Sequence, residues 1–163
     1  MKPNAKLTLI YSGKTDGWEI ADFHRLCDGN APTVVFFKSS KEFAFGGFTS
    51  VPWAGGDCEW VEDRESFVFS VDSRELVFKP TDYSKSVGHG SNEGPNFGGG
   101  DLGTANDPMN DTASGYCYIN FNTYKDIGCD SEGNHVLTGD GKGKSDHGKR
   151  FTCTALEVYQ VQY

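Results

Sequence analysis

GPNFGGGDLG, Gly94 to Gly103, decides between two kinds of fold. Read from Gly98 it spells G-x-G-x-x-G, the spacing of a dinucleotide-binding turn. Such a turn needs a strand before its glycines and a helix after them, so that the helix N-terminus faces a pyrophosphate. Here Pro95 stands among the preceding residues, and the following TANDPMNDT (Thr104–Thr112) is built of turn formers around a proline. No helix starts from such a segment, and Asp101 sets a negative charge where phosphate would sit. The glycines therefore read as architectural: they permit positive φ and tight backbone packing at the entrance to a strand.

Outward from this stretch the chain is rich in short strands. Leu7–Tyr11 is a short apolar run. TVVFFK (Thr33–Lys38) is β-branched and aromatic on both faces, which predicts a central strand. Phe43 to Phe48 follows, with Gly46-Gly47 marking a bulge or a close backbone approach. In SFVFSV (Ser66–Val71), Phe67, Phe69 and Val71 alternate onto one side. Leu76–Phe78, Tyr116–Phe121 and Leu156–Val161 complete the predicted strands, and the apolar ends of the chain are expected inside core sheets. Pro80 to Asn96 reads as loop, and Asp126 to Arg150, rich in Gly, Asp and Lys, as a mobile excursion.

One helix interrupts the series. Asp16 and Glu19 have capping-box spacing, Ile20, Phe23 and Cys27 fall on one face beside Leu26, and Gly29 stands where a helix stops. The helix is expected to begin between Gly17 and Ile20. The fold class that follows is mainly β: an antiparallel β-sandwich with one clear amphipathic helix and short flanking helices, as a single domain over residues 1–163.

Charge narrows the function. Fifteen Lys and Arg against 23 Asp and Glu leave a net charge of −8, which repels nucleic acid and anionic lipid. The five cysteines, Cys27, Cys58, Cys117, Cys129 and Cys153, form no C-x-x-C pair, which argues against a disulfide framework or a zinc site. MKPNAKLTLIYSG has too short an apolar run for a leader or a membrane span, so a cytoplasmic location is expected; the chain is also expected to be a monomer. The Asn110-Asp111-Thr112 sequon reads as chance in that setting.

Catalytic motifs do not assemble. Gly139 to Ser145 falls one residue short of a P-loop, with no helix pattern after it. Asp130, Glu132, Asp140 and Asp146 lack the spacing of a calcium loop, although a calcium-dependent interaction is kept as an alternative. His24, His89, His135 and His147 are scattered, with His24 beside the apolar stripe of the helix. The acids of Asp57–Glu65, with Asp101, are the only carboxylates that suggest a weak hydrolase, a second alternative. Cys27 reads as a small packed hydrophobe. No catalytic residue, cofactor or metal is assigned.

Taken in order, LIYSGKTDGW, DFHRLCDG, PTVVFFK, FGGFTSVPW, SFVFSV, GPNFGGGDL and LEVYQV resemble the TLDc domain from Leu7 to Val161. The resemblance implies one β-sandwich with short helices and no established catalytic residue. It also implies a role in protection against oxidative stress, and a partner in the peripheral sector of the V-ATPase. The candidate partner-binding residues are Phe48, Trp53, Gly98, Gly99, Gly100 and Asp101, with Trp53 either an exposed aromatic anchor or part of the core. The chain departs from the family after Leu102, where Gly103 and Thr104 replace a bulky strand residue, so a shortened strand is expected there.

Overall fold

In β2 (Thr33–Ser39), Val35 and Phe37 belong to the main core while Val34 and Phe36 belong to a separate cluster on the opposite face. A strand apolar on both faces must lie inside a sheet, and β2 lies between β12 (Cys153–Gln162) and β3 (Ala44–Thr49). The computed structural model describes residues 4–72, 76–105, 107–111, 115–117, 123–124, 137–138 and 149–163. Within them the strands form two six-stranded antiparallel sheets. The first runs β1-β12-β2-β3-β5-β6, with β1 at Lys6–Ser12, β5 at Phe67–Ser70 and β6 at Val77–Phe78. The second runs β11-β10-β9-β8-β7-β4, comprising β4 (Glu59–Val61), β7 (Val87–His89), β8 (Glu93–Phe97), β9 (Leu102–Ala105), β10 (Gly115–Cys117) and β11 (Lys149–Phe151).

The sheets meet over one core in which Val35, Phe37, Phe45, Val68, Leu156 and Val158 of the first pack with Val87, Phe97, Leu102 and Phe151 of the second. Gly47 sets the spacing at the centre. A Cβ there would stand 2.5 Å from the Phe97 ring, and one on Gly46 would stand 1.9 Å from the Val35 carbonyl. The pair therefore marks close approach. The register of β3 with both neighbours is unbroken, so it is no bulge.

Two short helices, α1 (Gly13–Asp16) and α2 (Ile20–Cys27), follow β1. Helix α2 buries Ile20, Phe23 and Cys27, as the sequence pattern requires. Its cap differs from the expected box. Glu19 is the N-cap and makes no side-chain bond, whereas Asp107 Oδ1 accepts the Ile20 N–H at 2.6 Å. Asp16 instead accepts the Ser12 N–H at 2.8 Å. Gly29, at φ 77°, ends the helical region and donates its N–H to the Trp53 carbonyl.

Several expectations are corrected. The segment Pro80–Asn96 holds β7 and most of β8 rather than loop. Its glycines signal turns in sequence, yet they serve crowding between strands: a Cβ on Gly88 would lie 2.6 Å from Asn96 Nδ2, and one on Gly94 would lie 2.3 Å from Thr104 Oγ1. Part of the acidic stretch Asp57–Glu65 is also a strand, β4, at a sheet edge. β9 is only four residues long but is fully formed, buried at Leu102–Thr104 and paired on both sides. β1 is an edge strand exposed from Lys6 to Leu9, not an interior one, because among the described residues only β12 flanks it. In the Asp126–Arg150 stretch Leu137 and Thr138 are buried and Lys149-Arg150 open β11, while its other residues lie outside the described residues. The predicted strand residues 118–121 and the acids proposed for calcium, Asp130, Glu132, Asp140 and Asp146, also lie outside them.

Candidate functional site

The glycine-rich turn settles its own chemistry. Gly98 has φ 67°, and a Cβ on it would lie 2.0 Å from Asp101 Oδ2. A side chain here would therefore displace the carboxylate and also strain the backbone. Asp101 is fully buried and accepts the Thr123 N–H at 3.0 Å, which ties the β8–β9 turn to the Thr123-Tyr124 segment. The Tyr124 hydroxyl donates towards Ser66 Oγ at 2.8 Å and the Ser86 carbonyl at 3.0 Å, and burial raises its pKa. Gly98 to Asp101 is thus a structural knot, with only Gly99 and Gly100 half-exposed.

Trp53 is 2% exposed, which rules out its role as an exposed anchor. Its Nε1 donates to Thr33 Oγ1 at 2.9 Å, and its ring meets Phe23 and Phe97 edge-on at centroid distances of 5.5 and 5.6 Å. Phe48 is also buried, on the other side of the first sheet, stacked on Phe67 at 5.1 Å. Trp53 and Phe48 belong to different clusters, so the proposed residues do not share one surface. The signal missed in sequence is the alternation within β3, which turns Phe48 to the outer side, whereas Trp53 lies beyond the end of that strand, bridged to Asp28 and packed in the main core.

The acids diverge as well. Asp63 is 3% exposed and accepts from Thr49 Oγ1, Ser50 N, Ser50 Oγ and Glu65 N, all within 3.0 Å. Such a carboxylate is committed to its loop, whereas Asp57, Glu59, Glu62 and Glu65 are exposed. His24 is partly buried and clamps α2 to the turn between β7 and β8. Its Nδ1 lies 2.8 Å from Asp28 Oδ1, and its Nε2 lies 3.1 Å from the carbonyls of both Gly90 and Glu93. Among the described residues no three His, Cys, Asp or Glu side chains are grouped to hold a metal ion. The described thiols are raised above their ordinary pKa. Burial pushes Cys153 up to about 12, burial and then Asp28 raise Cys27, and slight burial and then Glu93 raise exposed Cys58.

A surface that the sequence pattern hid lies on the outside of the first sheet. Phe67 and Phe69 of β5 point outward, while Val68 and Ser70 point into the sandwich. They join Val34, Phe36, Phe48, Tyr159 and Val161 in an outer cluster. Register carries this face across the sheet, with Leu9 opposite Tyr159, Tyr159 opposite Val34, Val34 opposite Phe48, and Phe48 opposite Phe67. Its margins are open: Leu7, Leu9, Val71 and Val77 are 39%, 49%, 49% and 56% exposed. Two shallow apolar grooves share Phe36. One is lined by Leu7, Ala44, Ala155 and Tyr159 together with the charged Lys38 and Glu157, the other by Val34, Phe67, Phe69 and Val77. The free face of a two-layer sandwich is ordinarily polar, and a continuous apolar surface marks an interaction site.

A family model described as the TLDc domain matches residues 2–162. A curated relative, MTOR-associated protein MEAK7 of Danio rerio, is 31% identical over 81 residues, which cover 50% of this chain and 18% of that protein. The chain thus matches less than a fifth of that relative's length. Among the described residues no helix is long and apolar enough to cross a membrane.

Proposed function

Because the chain belongs to the TLDc domain family, we propose that it is a non-catalytic protein-interaction domain that binds the peripheral sector of the V-ATPase in the cytoplasm. Protection against oxidative stress then follows indirectly, through regulation of that pump rather than through thiol chemistry of its own. The observation that carries the interaction reading is the outer face of the first sheet, apolar from β1 to β6 and open at Leu7, Leu9, Val71 and Val77. The net charge of −8 supports a protein partner over nucleic acid or an anionic membrane. The relative's name, MTOR-associated, describes a protein–protein association for that relative, in keeping with a binding role.

The test is direct binding of the purified, folded domain to purified V-ATPase peripheral-sector subunits. A stable complex is expected, and the pump's ATPase rate should change on its addition. A folded domain that binds none of those subunits removes the partner assignment. Turnover of ester, phosphoester or glycoside substrates that is lost with one acid of Asp57–Glu65 would replace the binding reading with the hydrolase one.

A further inference from the structure

Edges of β-sheets offer unpaired backbone groups, and proteins ordinarily keep them short, charged or covered. Among the described residues three of the four edges obey: β6 has two residues, and β4 and β11 have three each. β1 does not. It is seven residues long, it is flanked among the described residues only by β12, and Lys6, Leu7, Thr8 and Leu9 are all exposed. The register shift between Leu9 and Tyr11 turns the strand only beyond this open part. Ala5, Leu7 and Leu9 lie on the outer face, Leu7 beside Val161 and Leu9 beside Tyr159.

We infer that β1 pairs with β1 of a second copy of this chain, antiparallel about a two-fold axis through Thr8. The sequence of the open part is self-complementary. Leu7-Thr8-Leu9 reads the same in both directions, so this register sets each Leu7 against the partner copy's Leu9 on the same face. Both exposed leucines thereby gain a cross-strand partner, and the outer apolar face runs on without a break from one copy to the other. Charge permits contact here despite the overall −8, because Lys6 to Ile10 contains no acid and carries one lysine. Like copies repel over most of their acidic surface, and this edge is where they need not. A two-fold contact of this kind is closed, so it yields a dimer and not a filament.

Sedimentation velocity on the intact chain from about 10 µM to about 1 mM tests the pairing, over the range expected for a small interface. The chain is expected to pass reversibly from monomer to dimer. Leu7→Lys with Leu9→Lys is expected to stay monomeric throughout while keeping its melting temperature, since both side chains are exposed in the single copy. Should that variant not fold, Thr8→Lys gives the same readout by setting two lysines against each other on the axis. Amide exchange of Lys6–Ile10 is expected to slow as the dimer fills. A chain that remains monomeric to the highest concentration overturns the inference. So does a dimer that survives the lysine variants, or one that leaves the β1 amides unchanged.

Discussion

Trp53 is held on three sides: Thr33 takes its N–H, and Phe23 and Phe97 pack against its ring in T-shaped contacts. Replacing it with Ala removes that packing and leaves the buried Thr33 hydroxyl without its donor. Trp53→Ala is expected to cost about 3–5 kcal/mol in denaturant unfolding. A loss below about 1 kcal/mol would return Trp53 to the surface. His89 adds a pH dependence. Burial lowers its pKa, against the opposing pull of Asp28 and Glu59 and with a minor contribution from His24. The folded ring is therefore neutral where the unfolded one begins to charge, at about 6.5. As pH falls below that value the unfolded chain binds the proton first, so stability is full above it and declines below it. His89→Gln is expected to flatten the fall in melting temperature between about pH 6.5 and about pH 5. Parallel curves for the two proteins would contradict the assignment. What a single residue reveals in sequence is its chemical type. Gly98 was legible as architecture, but Asp101 read as a partner-binding or hydrolytic carboxylate, because its tuck under Gly98 to hold Thr123 depends on a contact across 22 positions.

Elements were legible where their pattern is local. Helix α2 and strand β2 carry their own periodicity, and both form as the sequence indicates. β7 and β8 were hidden because Gly88, Gly94 and Pro95 have poor strand propensity, and only the crowding by Asn96, Thr104 and Met109 explains them. β12 is the element on which the first sheet depends. Its ten residues pair with β1 on one side and β2 on the other, and Leu156 and Val158 enter the core. Deleting the chain from Leu156 onward strips β1 of the strand it pairs with and opens an edge on β2. The truncated chain is expected to lose its cooperative thermal transition in calorimetry. A sharp melt that persists would show that the remaining strands form a core without β12.

At the scale of the whole molecule, the first sheet is a layer apolar on both sides within a two-layer fold. The inner side packs on the second sheet and accounts for stability, whereas the outer side, from Leu9 through Tyr159 and Phe36 to Val77, is left open to solvent at its margins. Sequence placed Phe67, Phe69 and Val71 on one side of their strand, but alternation alone does not say which side faces the partner sheet. The outer surface is therefore a property of the assembled fold, and the loops first singled out by sequence are spent on holding it together. The most direct measurement pairs Val71→Asp with Val77→Asp, two changes confined to exposed positions on that face. This variant is expected to keep the melting temperature of the parent chain and to lose binding to the V-ATPase peripheral sector. Undiminished binding at an unchanged melting temperature would contradict it, and would return the contact surface to another part of the domain.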